Sequence, residues 1–250
     1  MRNLAIVRPP SESFRQCLSS HPMRDQLDIQ RARTQYKKYC SVLEELGLEL
    51  IVLESEPSFP DCCFVEDTAI VRGNKSFIAR LGAAERQGEE TAVADVLRRY
   101  TTMRRAEAPA TIEGGDVIHL PDSLLIGVGQ RTNREGFRQL SDSLEIRTES
   151  VEDPRIFHLK SDVTYLGSDT LLTTARFAKH EELQGFNLLH VPAGEEYGAN
   201  TLTVGERVLM SSRHKKTLDV VKQAGFHPLP IDMSEFEKCD GAITCLSIVL

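Results

Sequence analysis

Nowhere does the 250-residue sequence approach the roughly 18 consecutive apolar residues of a membrane-spanning helix, so that class of protein is excluded. Its N-terminal MRNLAIVRPP has an apolar run of only four residues before charge and proline intervene. That is too short for the core of a secretory signal, and a cytoplasmic location is expected. A basic surplus is missing as well. The formal net charge is -7, and Lys and Arg are scattered rather than gathered into a stripe. This argues against nucleic acid as a partner and for a small cationic ligand. The six cysteines (Cys17, Cys40, Cys62, Cys63, Cys239 and Cys245) contain no CxxC pair. In a cytoplasmic chain of this size they read as free thiols with no structural zinc, and Cys62 and Cys63 read simply as small, semi-buried residues. No linker or low-complexity tract divides residues 1–250, so one domain is expected. Nothing here dictates an oligomeric state, although a homodimer is compatible with it.

What is present is a repeated unit of apolar strand, short turn, apolar strand, amphipathic helix and closing strand. The first copy runs TAIVRGNKSFIARL and then a helix over Arg86 to Tyr100. The second runs DVIHLPDSLLIGVG, a helix over Thr132 to Ser143 and a strand over Leu144 to Thr148. The third runs TYLGSDTLLTTA, a segment around His180 to Leu183 and a strand over Leu188 to Val191. The fourth runs TLTVGERVLMS, a helix over Lys215 to Ala224 and a strand over His227 to Ile231. Gly, Asn, Asp and Pro between strand-like runs are hairpin chemistry, and the 3.6-residue apolar period that follows is helix chemistry. The remainder is a strand Leu4 to Val7, a helix Ile29 to Leu46, a strand Leu48 to Leu53 and a C-terminal strand Ala242 to Leu250. Joined, these make a fifth unit, and pairing the first strand with the last closes a ring that buries each copy's apolar face.

Residues able to do chemistry stand just before the strands of these units. They are Asp61, Glu66 and Asp67 in the first, Glu113 and Asp116 in the second, His158 in the third and Cys245 in the fifth. Units arranged about an axis bring such equivalent positions to one end of it and into one pocket. A thiol, an imidazole and carboxylates are the parts of a covalent hydrolase. Taken singly each has a plainer reading: Cys245 as a small strand residue, His158 as a structural histidine, Glu113 to Asp116 as a polar turn. Glu66 and Asp67 are the exception. They are flanked by Phe64, Val65, Ala69 and Ile70, and acids so placed must be paired or functional if buried.

Six segments, FPDCCFVEDTAIV, LGAAERQGE, IEGGDVIHL, QRTNREG, FHLKSDVTYL and DGAITCLS, occur in an order that resembles the guanidino-group-modifying enzymes. The similarity is greatest to dimethylarginine dimethylaminohydrolases of the bacterial type. The resemblance implies a five-bladed α/β propeller with Cys245 as nucleophile, His158 as general acid and base, and Glu113 orienting His158 or the substrate guanidinium. It implies Asp67, with Glu66 nearby, as the partner of that guanidinium. Arg86 and Arg131 would take the α-carboxylate and Asp61 the α-amine end, while Leu18 lies where the family carries a mobile lid. Phe64 and Asp240, in matched segments, are expected to contact substrate. No metal or organic cofactor is implied. A guanidinium carbon is a poor electrophile until carboxylates grip the N–H edges and fix its plane, which suits this set of residues.

Three positions depart from the pattern: Leu81 where proline is common, Phe157 before the histidine and Cys239 before Asp240. Phe157 is the one expected to touch substrate. Arginine deiminases share the chemistry but are longer and carry Asp two residues after the histidine, where this chain has Lys160. An amidinotransferase, or an inactive propeller that binds arginine analogues, are the other readings.

Overall fold

Gly73 and Asn74 turn the strand Ala69–Arg72 back onto Lys75–Ile78, with Gly73 at φ 60°, a conformation that costs glycine little. The same device recurs round the chain. Strands Val117–His119 and Ser123–Val128, Val163–Gly167 and Thr170–Thr173, and Leu202–Val204 and Arg207–Ser211 are antiparallel pairs with short turns. In each pair the second strand then gains a parallel neighbour on its other side, reached through a crossover. The crossovers are the helices Glu90–Leu97, Arg134–Leu144 and Lys215–Gln223, and in the third unit only the 3₁₀ turn Glu181–Leu183. The parallel strands are Thr102–Arg105, Arg147–Glu152, Asn187–His190 and His227–Ile231.

This structure is a computed structural model that describes residues 3–250. Its fifth sheet is built from both ends of the chain. Leu4–Val7 pairs antiparallel with Ser247–Val249, in the register Ala5 to Val249 and Val7 to Ser247, and parallel with Glu49–Val52. The five three-stranded sheets are the blades of the α/β propeller that the repeats predict. Helix Ile29–Glu45 connects the central strand of this blade, Leu4–Val7, to its parallel neighbour Glu49–Val52. It is capped by Asp28, whose side chain accepts from the amides of Gln30 and Arg31, and its buried face carries Ile29, Ala32, Tyr36, Tyr39, Val42 and Leu43. Each such fully buried side chain contributes about 1.5–3 kcal/mol, so one face of this helix suffices to anchor the blade.

Four sequence expectations need correction. The helix of the first copy begins at Glu90 rather than Arg86, because Gly88 at φ 117° breaks the helical path and leaves Arg86 in the 3₁₀ turn Ala84–Arg86. Leu144 ends the second helix instead of opening a strand, since Glu145 turns left-handed at φ 54° and the strand waits until Arg147. The C-terminal strand is only Ser247–Val249, so Cys245 sits in the 3₁₀ turn Thr244–Leu246 and not in a strand. Nor are all six cysteines free: Cys17 and Cys239 form a disulfide, with Cα atoms 5.8 Å apart. Closure of the first and last strands brings together two segments that no local spacing rule could have joined.

No helix among the described residues is long and apolar enough to cross a membrane.

Candidate functional site

Each inner strand is entered through a 3₁₀ turn, and these turns pack on one another about the axis. The turn Val65–Thr68 meets Gly114–Asp116 and Thr244–Leu246, and Gly114–Asp116 meets Leu159–Ser161, which in turn meets Glu196–Ala199. The convergence expected from the repeats is therefore real, and it leaves no room for side chains at the closest approaches. A Cβ on Gly114 would stand 2.0 Å from the Glu66 carbonyl oxygen, and one on Gly115 would stand 2.8 Å from the His158 ring.

The central group comprises His158, Glu113 and Asp67, all buried. His158 Nε2 lies 2.6 Å from Glu113 Oε2 and 3.7 Å from Asp67 Oδ1. Glu113 is held from the other side by the Gly82 amide, 2.8 Å from Oε1. Burial opposes charge on the imidazole, but Asp67, then the hydrogen bond and charge of Glu113, more than offset it and raise His158 to about 9. Burial likewise works against ionised Glu113, yet the contact with His158 holds it down at about 2. The two shifts express one ion pair. Asp116, which sequence alone left as a polar turn, buttresses it. Asp116 accepts from the Leu159 amide at 2.9 Å and from the Thr132 hydroxyl at 2.6 Å, so it ties the turn beside His158 to the second blade.

Asp67 accepts from the Gly115 amide at 3.2 Å and from Arg86 Nη1 at 2.7 Å. Arg86 is itself buried and also donates to Glu89 at 2.8 Å and to the Phe64 carbonyl at 3.3 Å. Its donors are thus engaged within the protein rather than turned toward a carboxylate ligand, and Glu89, raised to about 7 by burial against the pull of Arg86, is a partner the sequence did not suggest. The ligand atoms of Asp67, Glu113 and His158 lie within 4.8 Å of one another, close enough to suit a metal ion. With His158 bonded to Glu113 and a guanidinium fixed on Asp67, the group is better described as an acid–base pair beside a buried cation.

Cys245 is 8% exposed, and its Sγ accepts from the Ala242 amide at 3.4 Å. Burial, then the charges of Glu66 and Asp67, push its thiol well up. Its turn is fixed by Asn200, whose side chain donates to Thr244 Oγ1 at 3.0 Å and accepts from the Thr244 amide at 3.0 Å. Thr244 in turn donates to Glu66 at 2.6 Å, and Glu66 receives Lys160 Nζ at 2.6 Å. Asn200 stands in no motif and had no sequence signal.

A cavity of about 420 Å³ is lined by Cys17, Leu18, Arg24, Arg131, Phe157 and Asp240; neither Cys245 nor His158 lines it, and it adjoins the group through Phe157, whose ring lies 5.0 Å from that of His158. The segment at Leu18 is tied down three ways. Its amide donates to both carboxylate oxygens of Asp61 at 3.2 Å, Asp240 accepts from the Ser19 hydroxyl at 2.7 Å and the Ser20 amide at 3.2 Å, and the disulfide joins the flanking residues. Arg24 at this rim has a buried Nε without a partner and went unsuspected in the sequence. Phe64 does not line this mouth. Its ring is buried with Phe14 and Phe236 at centroid distances of 5.6 and 6.3 Å, so only its carbonyl serves the site. Cys62 and Cys63 are fully buried, more so than the semi-buried state expected. A larger cavity, about 760 Å³, is walled by Glu66 and Lys160 but includes neither Cys245 nor His158.

Residues 12–165 match the family described as N,N dimethylarginine dimethylhydrolase, eukaryotic. Over nearly its whole length the chain is 32% identical to the N(G),N(G)-dimethylarginine dimethylaminohydrolase of Pseudomonas aeruginosa, with 97% of each covered. It is also 32% identical to that of Streptomyces coelicolor, covering 98% of this chain and 96% of the other. The solved structure of a cysteine-to-serine mutant of the Pseudomonas aeruginosa enzyme complexed with citrulline superposes with a TM-score of 0.96 at 31% identity, covering both chains fully. Similarity to the arginine deiminase of Listeria monocytogenes is more partial, 26% over 48% of this chain and 32% of that enzyme.

Proposed function

As the chain belongs to the dimethylarginine dimethylaminohydrolase family, we propose that it hydrolyses Nω-methylated arginines to citrulline and an alkylamine through a covalent intermediate on Cys245. The observation that carries this reading is the buried His158–Glu113 pair beside Asp67, whose turn packs against the one bearing Cys245.

The substrate guanidinium, a planar cation, enters between Asp67 and Glu113, which grip its N–H edges and fix its plane. Its charge offsets the acids that hold the Cys245 proton in place, so binding itself favours release of that proton to solvent and leaves the thiolate. The sulfur attacks the guanidinium carbon to give a tetrahedral adduct. His158, already protonated at neutral pH, gives its proton to the departing alkylamine nitrogen, the C–N bond breaks, and a thiouronium remains. The neutral imidazole then takes a proton from water, whose oxygen attacks the same carbon. Collapse releases the ureido product and the thiolate. Lys160 and Glu66 form the floor beneath Thr244.

Arg131 is the cation for the α-carboxylate, since it lines the open mouth. Arg86, engaged by Asp67 and Glu89, holds Asp67 in place for the guanidinium. Asp61 and Asp240 anchor the Leu18 segment over the substrate's amino end. A cytoplasmic location belongs to this proposal, and there the Cys17–Cys239 bond would be exposed to cellular reductants.

The test is incubation with arginine, monomethylarginine, asymmetric dimethylarginine and agmatine, with products identified by mass. Citrulline and dimethylamine from the dimethylated substrate are expected. Citrulline and ammonia from arginine in preference would move the reading to a deiminase, and no ureido product from any substrate would leave a binding protein.

A further inference from the structure

Among the described residues, Arg131 makes no ion pair and no side-chain hydrogen bond; what it touches is an aromatic ring. Its Cζ stands 4.6 Å from the centroid of Phe157. Phe157 is 37% exposed, an unusual place for a large apolar side chain, and both residues line the pocket mouth. We propose that Phe157 is a positioning residue that holds the Arg131 guanidinium ready for the substrate α-carboxylate and so sets the preference for guanidines that are amino acids. The inference rests on the carboxylate role given to Arg131 above.

The geometry explains why a ring serves here where a carboxylate would not. A guanidinium on an acid side chain has its in-plane N–H edge occupied, as Arg86 has through Asp67, Glu89 and the Phe64 carbonyl. A ring face attracts the cation through its quadrupole and uses none of its donors, so the fork stays free for a ligand. A long, otherwise unpartnered side chain at a rim samples many rotamers, and only a fraction of them points into the pocket. Restricting it lowers the cost of binding without adding a contact to substrate. The ring also lies 5.0 Å from that of His158, inclined at 55°, so the competing role is support of the imidazole. The two roles fail differently, because a carboxylate contact persists from ground state to transition state whereas imidazole placement acts on the chemical step.

The test compares wild type, Phe157→Leu, Phe157→Tyr, Arg131→Ala and Phe157→Leu/Arg131→Ala, measuring kcat and KM for asymmetric dimethylarginine and the inhibition constant of agmatine, which has no carboxylate. For Phe157→Leu we expect KM to rise about tenfold, with kcat and the agmatine constant within about twofold of wild type. Phe157→Tyr, which keeps the ring face, should stay within about twofold throughout. In the Arg131→Ala background the leucine substitution should add nothing further. The proposal is overturned if Phe157→Leu lowers kcat and shifts its pH profile at unchanged KM, or if its full effect persists without Arg131. Should Arg131→Ala weaken dimethylarginine and agmatine alike, the carboxylate role of Arg131 fails and this inference goes with it. If Arg131→Ala is selective and Phe157→Leu has no effect, only the role of Phe157 falls.

Discussion

Cys17 and Cys239 are joined across a sequence separation of 222 at the point where their neighbours Leu18 and Asp240 face the pocket mouth. The bond adds a covalent tie to the contacts that Asp61 and Asp240 make with residues 18–20.

Opening that bond should affect binding more than folding. Loop-closure entropy of the unfolded chain for so long a separation would suggest about 5 kcal/mol, but crosslinks commonly deliver well under this figure. We therefore expect Cys17→Ser to cost about 1–2 kcal/mol, a fall in Tm of about 2–8 °C, while KM rises several-fold and kcat changes little. Thiol titration provides the direct check: denatured, unreduced protein should expose four thiols, Cys40, Cys62, Cys63 and Cys245, and reduced protein six. Six thiols without reductant would remove the bond from the account.

The buried Cys245 thiol yields a second expectation. Its proton is retained by burial and by the charges of Glu66 and Asp67. A neutral alkylating agent should therefore react slowly at pH 7 and faster as pH rises, whereas a positively charged agent of equal intrinsic reactivity should be faster at neutral pH because it offsets those charges. Equal rates for the two would contradict substrate-assisted ionisation. Cys245→Ser should abolish turnover with Tm nearly unchanged, since an alcohol cannot supply the anion.

Much of this arrangement was legible in the sequence because the repeat is periodic. Turn residues and apolar alternation located the hairpins, and blade symmetry then placed Asp67, Glu113, His158 and Cys245 together although 178 residues separate Asp67 from Cys245. What stayed hidden depends on contacts across blades. Nothing near Asn200 announces that its amide holds Thr244, and nothing near Cys17 announces Cys239. Arg86 shows the limit of carrying a role by motif: its position matches, but the partners that engage it, Asp67 and Glu89, are set by burial. For Phe64 it is the backbone carbonyl, invisible to residue-type reasoning, that accepts from Arg86.

Substituting Glu113 by Gln should uncouple the acid–base pair. Loss of the carboxylate lowers the pKa of His158, so the alkaline limb of the kcat profile moves to lower pH and kcat falls by about 100-fold or more. Stability changes in a defined window. Folded His158 at about 9 exceeds its ordinary 6.5, so its contribution is complete below pH 6.5 and is lost as pH rises through 9. Folded Glu113 at about 2 lies below its ordinary 4.5, so its contribution is present above pH 4.5 and is lost as pH falls toward 2. The wild-type advantage over Glu113→Gln should therefore be largest between those limits, measured by denaturant midpoints across pH. An advantage that keeps growing above pH 9 would show that the pair is not the cause.

Lys160 gives the sharpest test of the floor beneath Cys245. Burial raises Glu66, and Lys160, by charge and hydrogen bond, is what chiefly restrains that rise. Lys160→Met leaves a buried carboxylate with only Thr244 as side-chain partner, a loss of about 3–5 kcal/mol for a broken buried pair. Because the stranded Glu66 would then take up a proton more readily in the folded state, the deficit should shrink as pH is lowered toward about 5. Adding Glu66→Gln removes the charge while keeping an acceptor for the Thr244 hydroxyl, so the double variant should recover much of the stability and part of the lost kcat. Denaturant midpoints and turnover of the three proteins decide it. If Lys160→Met alone is within about 0.5 kcal/mol of wild type, the ion pair does not hold the Thr244–Leu246 turn, and the position of Cys245 must depend on Asn200 instead.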